Sequence, residues 1–249
     1  MRVLSTACRH AIAWTLLVTL TLTGASLLTG CRGEARPPAT PPPSEAQPKE
    51  QPPAAKTDAE KGWESLFDGK TLAKWKATAF GGEGKVFVKD GQLILGMPTG
   101  DMTGITWAGE RDDLPHLDYE ISLRAMRVEG DDFFCGLTFP YKDSHASLIC
   151  GGWGGGLVGI SSLGHMDASE NETSTFHEFK NGRWYDILLR IRDNSIQAWI
   201  DGKQVVDAQP GDRKVDVRIE VEDSIPLGIA TWHTKAALKD IQLRRLLDE

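Results

Sequence analysis

From residue 62 onward, apolar side chains recur at alternate positions in short runs, and Gly, Pro, Asp and Asn break the runs about every ten residues. A period of two with turn residues between predicts strands, and no segment shows the 3.6-residue period and caps of an amphipathic helix. Val86–Lys89 and Gln92–Leu95 flank Asp90-Gly91, a sequence that predicts a tight hairpin turn. The stretch 117–128 sets Tyr119, Ile121, Leu123 and Ala125 on one face of a long strand. Trp184–Arg192 and 195–201, joined at Asp193-Asn194, predict a hairpin with Leu189 opposite Ala198. Tyr185, Ile187, Leu189 and Ile191 then share a face with Ile196, Ala198 and Ile200, and that face must be core. The opposite face mixes Trp184, Leu188 and Trp199 with Asp186, Arg190, Arg192, Gln197 and Asp201. It is polar enough for water and aromatic enough for a ligand, and ion pairs of Arg190 and Arg192 with Asp186 and Asp201 are its plain account. Segments 132–139 and 145–151, turning at 141–144, predict a further hairpin with Cys135 opposite Cys150. Phe133, Leu137, Phe139, Ala146 and Leu148 share the cysteines' face, so two readings stand: a disulfide or a pair of buried thiols.

The residues before 61 follow other rules. Arg2 and Arg9 precede an uncharged, mostly apolar stretch at 11–28. That order is a secretory signal, although eighteen such residues also suffice for a short membrane span. The stretch ends in Leu28-Thr29-Gly30-Cys31, which resembles a bacterial lipobox. This predicts a lipoprotein signal over 1–30, lipidation at Cys31, and attachment in the cell envelope, facing the periplasm or the outer surface. Arg32, not aspartate, follows the cysteine, so sorting to an outer membrane is open. Eight of the 13 prolines fall between Pro37 and Pro53, and 31–60 predicts a disordered, extended tether. The remainder, 61–249, is the length of one ordinary domain. It carries 22 Lys and Arg against 30 Asp and Glu, without a basic stripe, which argues against a nucleic-acid partner.

Trp63-Glu64-Ser65-Leu66-Phe67-Asp68-Gly69-Lys70-Thr71-Leu72-Ala73-Lys74-Trp75-Lys76 resembles the opening of the 3-keto-disaccharide hydrolase domain family. Gly182-Arg183-Trp184-Tyr185, the run from Ala198 to Lys203, and the closing Leu238-Lys239-Asp240-Ile241-Gln242-Leu243-Arg244 are similar to the late hairpin and last strand of its fold. The resemblance covers 62–247. It implies an all-β fold, a concanavalin-A-like or laminin-G-like jelly-roll sandwich of two antiparallel sheets, and an activity on 3-keto-glycosides. The middle departs from the family pattern, with Gly130-Asp131-Asp132-Phe133-Phe134-Cys135-Gly136-Leu137 where a Gly-Asn-Ser-Gly-like strand is usual.

No nucleophile elbow, phosphate loop or zinc spacing is present. The densest polar cluster, His165, Asp167, Ser169, Glu170, Asn171 and Glu172, follows the strand Leu157–Ser161. Such a loop can bind a divalent cation through oxygens, supply an acid and a base for sugar chemistry, or simply be an acidic surface. Trp153 stands among glycines, where a ring can stack on a sugar, or pack as a core residue beside a bulge. Trp232 and His233 end a strand at 227–231, a rim position common for ligand contacts. The resemblance implies removal of the acidic hydrogen beside a 3-keto group. His165 or Asp167 is then the expected base, Glu170 or Glu172 the expected acid, and Trp153, Asn171, Trp232 and His233 the expected carbohydrate contacts. A non-catalytic carbohydrate-binding module and a structural envelope protein are the other classes consistent with the sequence.

Overall fold

The computed structural model describes residues 62–110 and 113–246, so Cys31, the signal and the tether lie outside the described residues. Two antiparallel sheets pack face to face. The eight-stranded sheet runs β13 (Lys203–Ala208), β12 (Ser195–Ile200), β11 (Trp184–Arg192), β6 (Tyr119–Glu129), β15 (Lys235–Arg245), β4 (Gln92–Leu95) and β3 (Val86–Lys89), with β1 (Glu64–Ser65) also on β15. The seven-stranded sheet runs β10 (Thr175–Phe176), β9 (Leu157–Ser161), β8 (Ser144–Gly151), β7 (Cys135–Tyr141), β14 (Gly228–Trp232), β5 (Met102–Trp107) and β2 (Trp75–Ala77). Among the described residues, no helix is long and apolar enough to cross a membrane.

The alternation read from sequence sets the layers. Tyr119, Ile121, Leu123, Tyr185, Ile187 and Leu189 of one sheet meet Cys135, Leu137, Phe139, Leu148, Ile160 and Ile229 of the other in one buried cluster. Removing this apolar area from water is the main force joining the sheets. The hairpin registers follow the turn residues. Leu189 pairs with Ala198, Cys135 with Cys150, and Lys89 with Gln92. Asp90 (φ 51) and Gly91 (φ 74) both take the left-handed conformation that this tight turn requires.

Two expectations are corrected, and a choice between two readings is made. First, Phe133 does not share the cysteines' face; Phe134 enters the main core instead, and Phe133 packs with Met102, Val221 and Trp232 on the far side of the sheet. Regular pairing begins only at Cys135, so the alternation does not extend back to 133. Second, Arg190 and Arg192 pair with Glu120 and Asp118, while Asp186 and Asp201 take Arg124 and Arg183. β6 lies beside β11, so Glu120 and Arg124 of that strand and Asp118 just before it are the nearer partners, while Asp201 takes Arg183 from the residue before β11. The aromatic rings on this face are likewise attended by cations: Arg190 lies 5.1 Å from the Trp199 ring centre and Lys239 4.6 Å from that of Trp184.

Third, Cys135 and Cys150 are free, buried thiols. The residues are opposed directly across two strands, a placement that strains a disulfide. Instead, the hydrogen bond between the thiols, and burial after it, push the Cys150 thiol well above its ordinary range. In the folded protein neither cysteine is expected to react with an alkylating agent. In denaturant without reductant, both should be labelled, as peptide mass mapping would show.

Candidate functional site

The site is built on the outer face of the seven-stranded sheet. Ser161, Ser147, Thr138, Gly228 and Thr106 are successive partners across β9, β8, β7, β14 and β5. Two positions along, the same face carries Gly159, Ile149, Gly136, Ala230 and Gly104. Apart from Ile149, that second row is almost bare of side chain. A Cβ on Gly159 would sit 2.9 Å from the Ala168 carbonyl oxygen, and one on Gly228 would sit 2.6 Å from the Ser224 carbonyl oxygen. The bare positions therefore let the 162–173 loop and the 3₁₀ turn Ile219–Ser224 lie directly on the sheet.

Above this floor is a cavity of about 290 Å³. Met102, Ile149 and Trp232 rise from the strands, Asp132 and Phe133 come from the segment before β7, and Trp153 forms one rim. Arg218, Glu220 and Val221 close the opposite side, and Ser147 and Ser161 lie at the base. An apolar enclosure with a few polar groups is the usual form of a small-ligand site.

The Trp153 rim is a turn of left-handed residues. Trp153 has φ 48 and ψ 57, between Gly151 (φ 84) and Gly154 (φ 83), and is 47% exposed. The core alternative for this tryptophan is thereby corrected, because the turn lifts the ring off the sheet. Arg127, itself buried, secures both walls. Its Nη1 donates to the carbonyl oxygens of Gly155 (3.1 Å) and Asp132 (3.4 Å), and Nη2 donates to that of Phe179 (2.8 Å). Nε donates to Asn181 Oδ1 at 2.7 Å. The Asp132 carboxylate accepts the Phe133 N–H through Oδ1 (2.7 Å) and the Gly154 N–H through Oδ2 (3.4 Å). Among the described residues, no arginine or lysine pairs with it.

A second recess adjoins the first and shares Arg218 and Glu220 with it; Ser162, His165, Asp167, Glu170 and Ile219 complete its lining. Arg218 joins the two sides. Its Nη1 reaches Asp167 Oδ2 (2.7 Å), while Nε and Nη2 donate to the two Glu220 oxygens (3.1 and 2.7 Å). The hydrogen bonds from Arg218 hold the Glu220 carboxyl below its ordinary range, and those to Glu220 raise the Arg218 guanidinium.

The predicted site residues divide. Trp153 and Trp232 share the cavity; His165, Asp167 and Glu170 share the recess beside it. Asp167 is committed to Arg218 and, through Oδ1, to the N–H and Oγ of Ser169 (2.8 and 2.6 Å), which leaves it poorly placed as a base. Glu172 lines neither recess and pairs with Arg213 at 2.6 Å. Asn171 is turned inward and 6% exposed. Its Nδ2 donates to the carbonyl oxygens of Ile160 and Asp167, and its Oδ1 accepts the Thr173 N–H, so it fastens the loop to β9. His233 points to Asp101 at 3.4 Å and also lines neither recess. Among the described residues, no three His, Cys, Asp or Glu side chains gather to hold a metal ion. The expectation of a divalent cation in the acidic loop does not fit this donor set, since Asp167 and Glu172 answer different arginines.

Asp132, Arg218, Glu220 and Ser161 were not among the predicted site residues. Asp132 lies in the stretch where the sequence leaves the family pattern, which was its one signal. Arg218 and Glu220 lie far along the chain in an irregular connection, where no periodicity marks them.

The profile of the 3-keto-alpha-glucoside-1,2-lyase-like domain matches residues 62–244. Among solved structures, a Crh5 transglycosylase in complex with NAG is similar at TM-score 0.51 and 13% identity, covering 75% of this chain and 85% of its own. A candidate glycosyl hydrolase from Parabacteroides distasonis is similar at TM-score 0.48 and 16% identity, covering 78% of this chain and 99% of its own. The carbohydrate-binding module CBM66 from Bacillus subtilis follows at 0.41 and 11%, covering 69% and 95%. These likenesses concern the two-sheet fold. No curated protein matches the chain. With its opening strand, late hairpin and closing strand all inside the matched span, the chain belongs to the 3-keto-alpha-glucoside-1,2-lyase-like domain family.

Proposed function

We propose that the chain cleaves 3-keto-glycosides, with the keto-sugar ring seated between Trp153 and Trp232. The observation that carries this reading is a cavity holding two tryptophans and one carboxylate, Asp132, that no cation among the described residues pairs with, in a member of this family. A 3-keto group acidifies the hydrogen on C2. Asp132 takes that proton, the electron pair forms an enolate, and the C1–O bond breaks as the C1–C2 double bond forms. The leaving oxygen takes the proton back from Asp132, which restores the carboxylate and balances the elimination. Arg218 on the facing wall favours the negative charge that develops. A disaccharide would straddle the Arg218–Glu220 pair, with its leaving unit in the second recess near His165 and Glu170.

A carbohydrate-binding module is the second reading, favoured by the pairing of both Asp167 and Glu220 with Arg218. Incubating the purified domain with a 3-keto-disaccharide separates the two. Release of a free sugar supports cleavage; tryptophan quenching without release supports binding alone; neither response overturns both.

We also infer that the protein is an envelope lipoprotein, on the strength of Leu28-Thr29-Gly30-Cys31. Cys31→Ser should move the protein from the membrane fraction to the soluble fraction and abolish incorporation of labelled fatty acid. Retention in the membrane without the cysteine would favour the spanning-segment reading.

A further inference from the structure

We propose that Ser161 is a ligand-binding and specificity-determining residue, donating its hydroxyl to an oxygen substituent of the sugar at the base of the cavity. The proposal rests on the sugar-site reading above and adds to it the group that contacts the buried edge of the ring. Ser161 is 1% exposed, and among the described residues its Oγ has no hydrogen-bond partner. The cross-strand neighbour of Ser161 does not supply one. Ser147 lies opposite it, but the Ser147 Oγ is bonded to Thr138 Oγ1 at 2.9 Å. Buried hydroxyls are almost always paired, and one left unpaired weakens the fold unless something else uses it. Ser161 is part of the cavity lining and sits on the same outer face as Ser147.

The neighbourhood says what class of group arrives there. Met102, Phe133, Ile149 and Val221 give the cavity an apolar wall, and two tryptophans offer ring faces. A pyranose presents its C–H faces to such surfaces and carries its oxygens on its edge. A ring stacked in this way brings an edge oxygen toward the base, where Ser161 meets it. A purely apolar ligand would leave the hydroxyl unpaired, and sites built to bond a substrate oxygen discriminate strongly against analogues without it.

Methyl α-glucopyranoside and its monodeoxy analogues serve as probes, because they lack the 3-keto group and are not consumed. Binding is read by tryptophan fluorescence on wild type and Ser161→Ala. The variant should bind the parent sugar roughly tenfold more weakly. One analogue, the one lacking the oxygen that Ser161 meets, should bind both proteins equally. Without ligand, Ser161→Ala should unfold at the wild-type temperature or above, because it removes an unpaired buried hydroxyl. Wild-type affinity for the parent, an equal loss across every analogue, or a lowered unfolding temperature each overturns the assignment of Ser161 alone. If neither methyl α-glucopyranoside nor a 3-keto-disaccharide binds wild type, the sugar-site reading falls and this inference with it; if only the 3-keto-disaccharide binds, the reading stands and the assignment of Ser161 is overturned.

Discussion

Asp132→Asn is expected to lower cleavage of a 3-keto-glycoside by roughly 10²- to 10⁴-fold, the usual contribution of a positioned general base. The amide keeps the shape of the carboxylate, and its oxygen can still accept the Phe133 N–H that Oδ1 accepts now at 2.7 Å. The Trp153 turn should stay in place, since Arg127 still holds it through the Gly155 carbonyl, and the contact at risk, from the Gly154 N–H to Asp132 Oδ2, is long at 3.4 Å. Sugar binding, read by tryptophan quenching, should therefore change by less than about threefold, a small step on the free-energy scale. A KM that rises while kcat holds would show Asp132 to be a binding group and would remove it from the proton transfer. Parallel assays of Asp167→Asn and Glu170→Gln, which the acidic loop first suggested, should show the smaller losses.

Glu120→Gln is expected to be the most damaging single change away from the cavity, costing about 3 kcal/mol in urea denaturation. The Glu120 side chain is 0% exposed and receives the Nε of Arg190 and of Arg244, each at 2.6 Å. The triad crosses three neighbouring strands, β11, β6 and β15. Neutralising the carboxylate leaves two arginines side by side on a surface that has lost its counter-charge. Both arginines keep some access to water, so the cost belongs at the low end for a broken buried pair. Replacing all three residues by methionine should restore much of the loss, because apolar packing commonly matches a buried ionic cluster in stability. If Glu120→Gln alone is neutral, the triad is a surface ornament and the sheet holds without it.

The sandwich was legible in the chain because its evidence is local. Asp193-Asn194 and Asp90-Gly91 fix their hairpins within a few residues, and alternation then assigns Tyr185 through Ile191 to the core. The failures begin where strand neighbours come from elsewhere in the chain. Arg190 has Asp186 four residues away, yet it bonds Glu120 from a strand about seventy residues earlier. The site was half legible for the same reason. Trp153 and Trp232 could be chosen singly, by the glycines around one and the strand end of the other. Their convergence depends on β8 and β14 both lying beside β7. Ser161 looks ordinary in sequence and Asp132 nearly so; only the cavity shows that, among the described residues, the first has no partner and the second no cation. The acidic loop is dense in charge along the chain but not in space, because Arg218 and Arg213 draw Asp167 and Glu172 to separate places.

The nearly bare outer row of the seven-stranded sheet has a consequence for how this protein can change. The loop over Gly159 in that row, and the turn over Gly228 in the row beside it, come so close that a Cβ would meet their main-chain oxygens. Away from those two points they are pinned to the core, because Leu163, Val215 and Leu227 belong to the main buried cluster. Such segments can be exchanged as whole blocks without redrawing the strands beneath, provided the floor keeps its glycines and the incoming segments keep apolar residues at 163, 215 and 227. Grafting 162–173 together with 209–227 from a relative should therefore transfer ligand preference while the shared core carries the stability. The floor itself is the inflexible part: one methyl group at Gly159 would disturb the loop above it more than several changes within the loop.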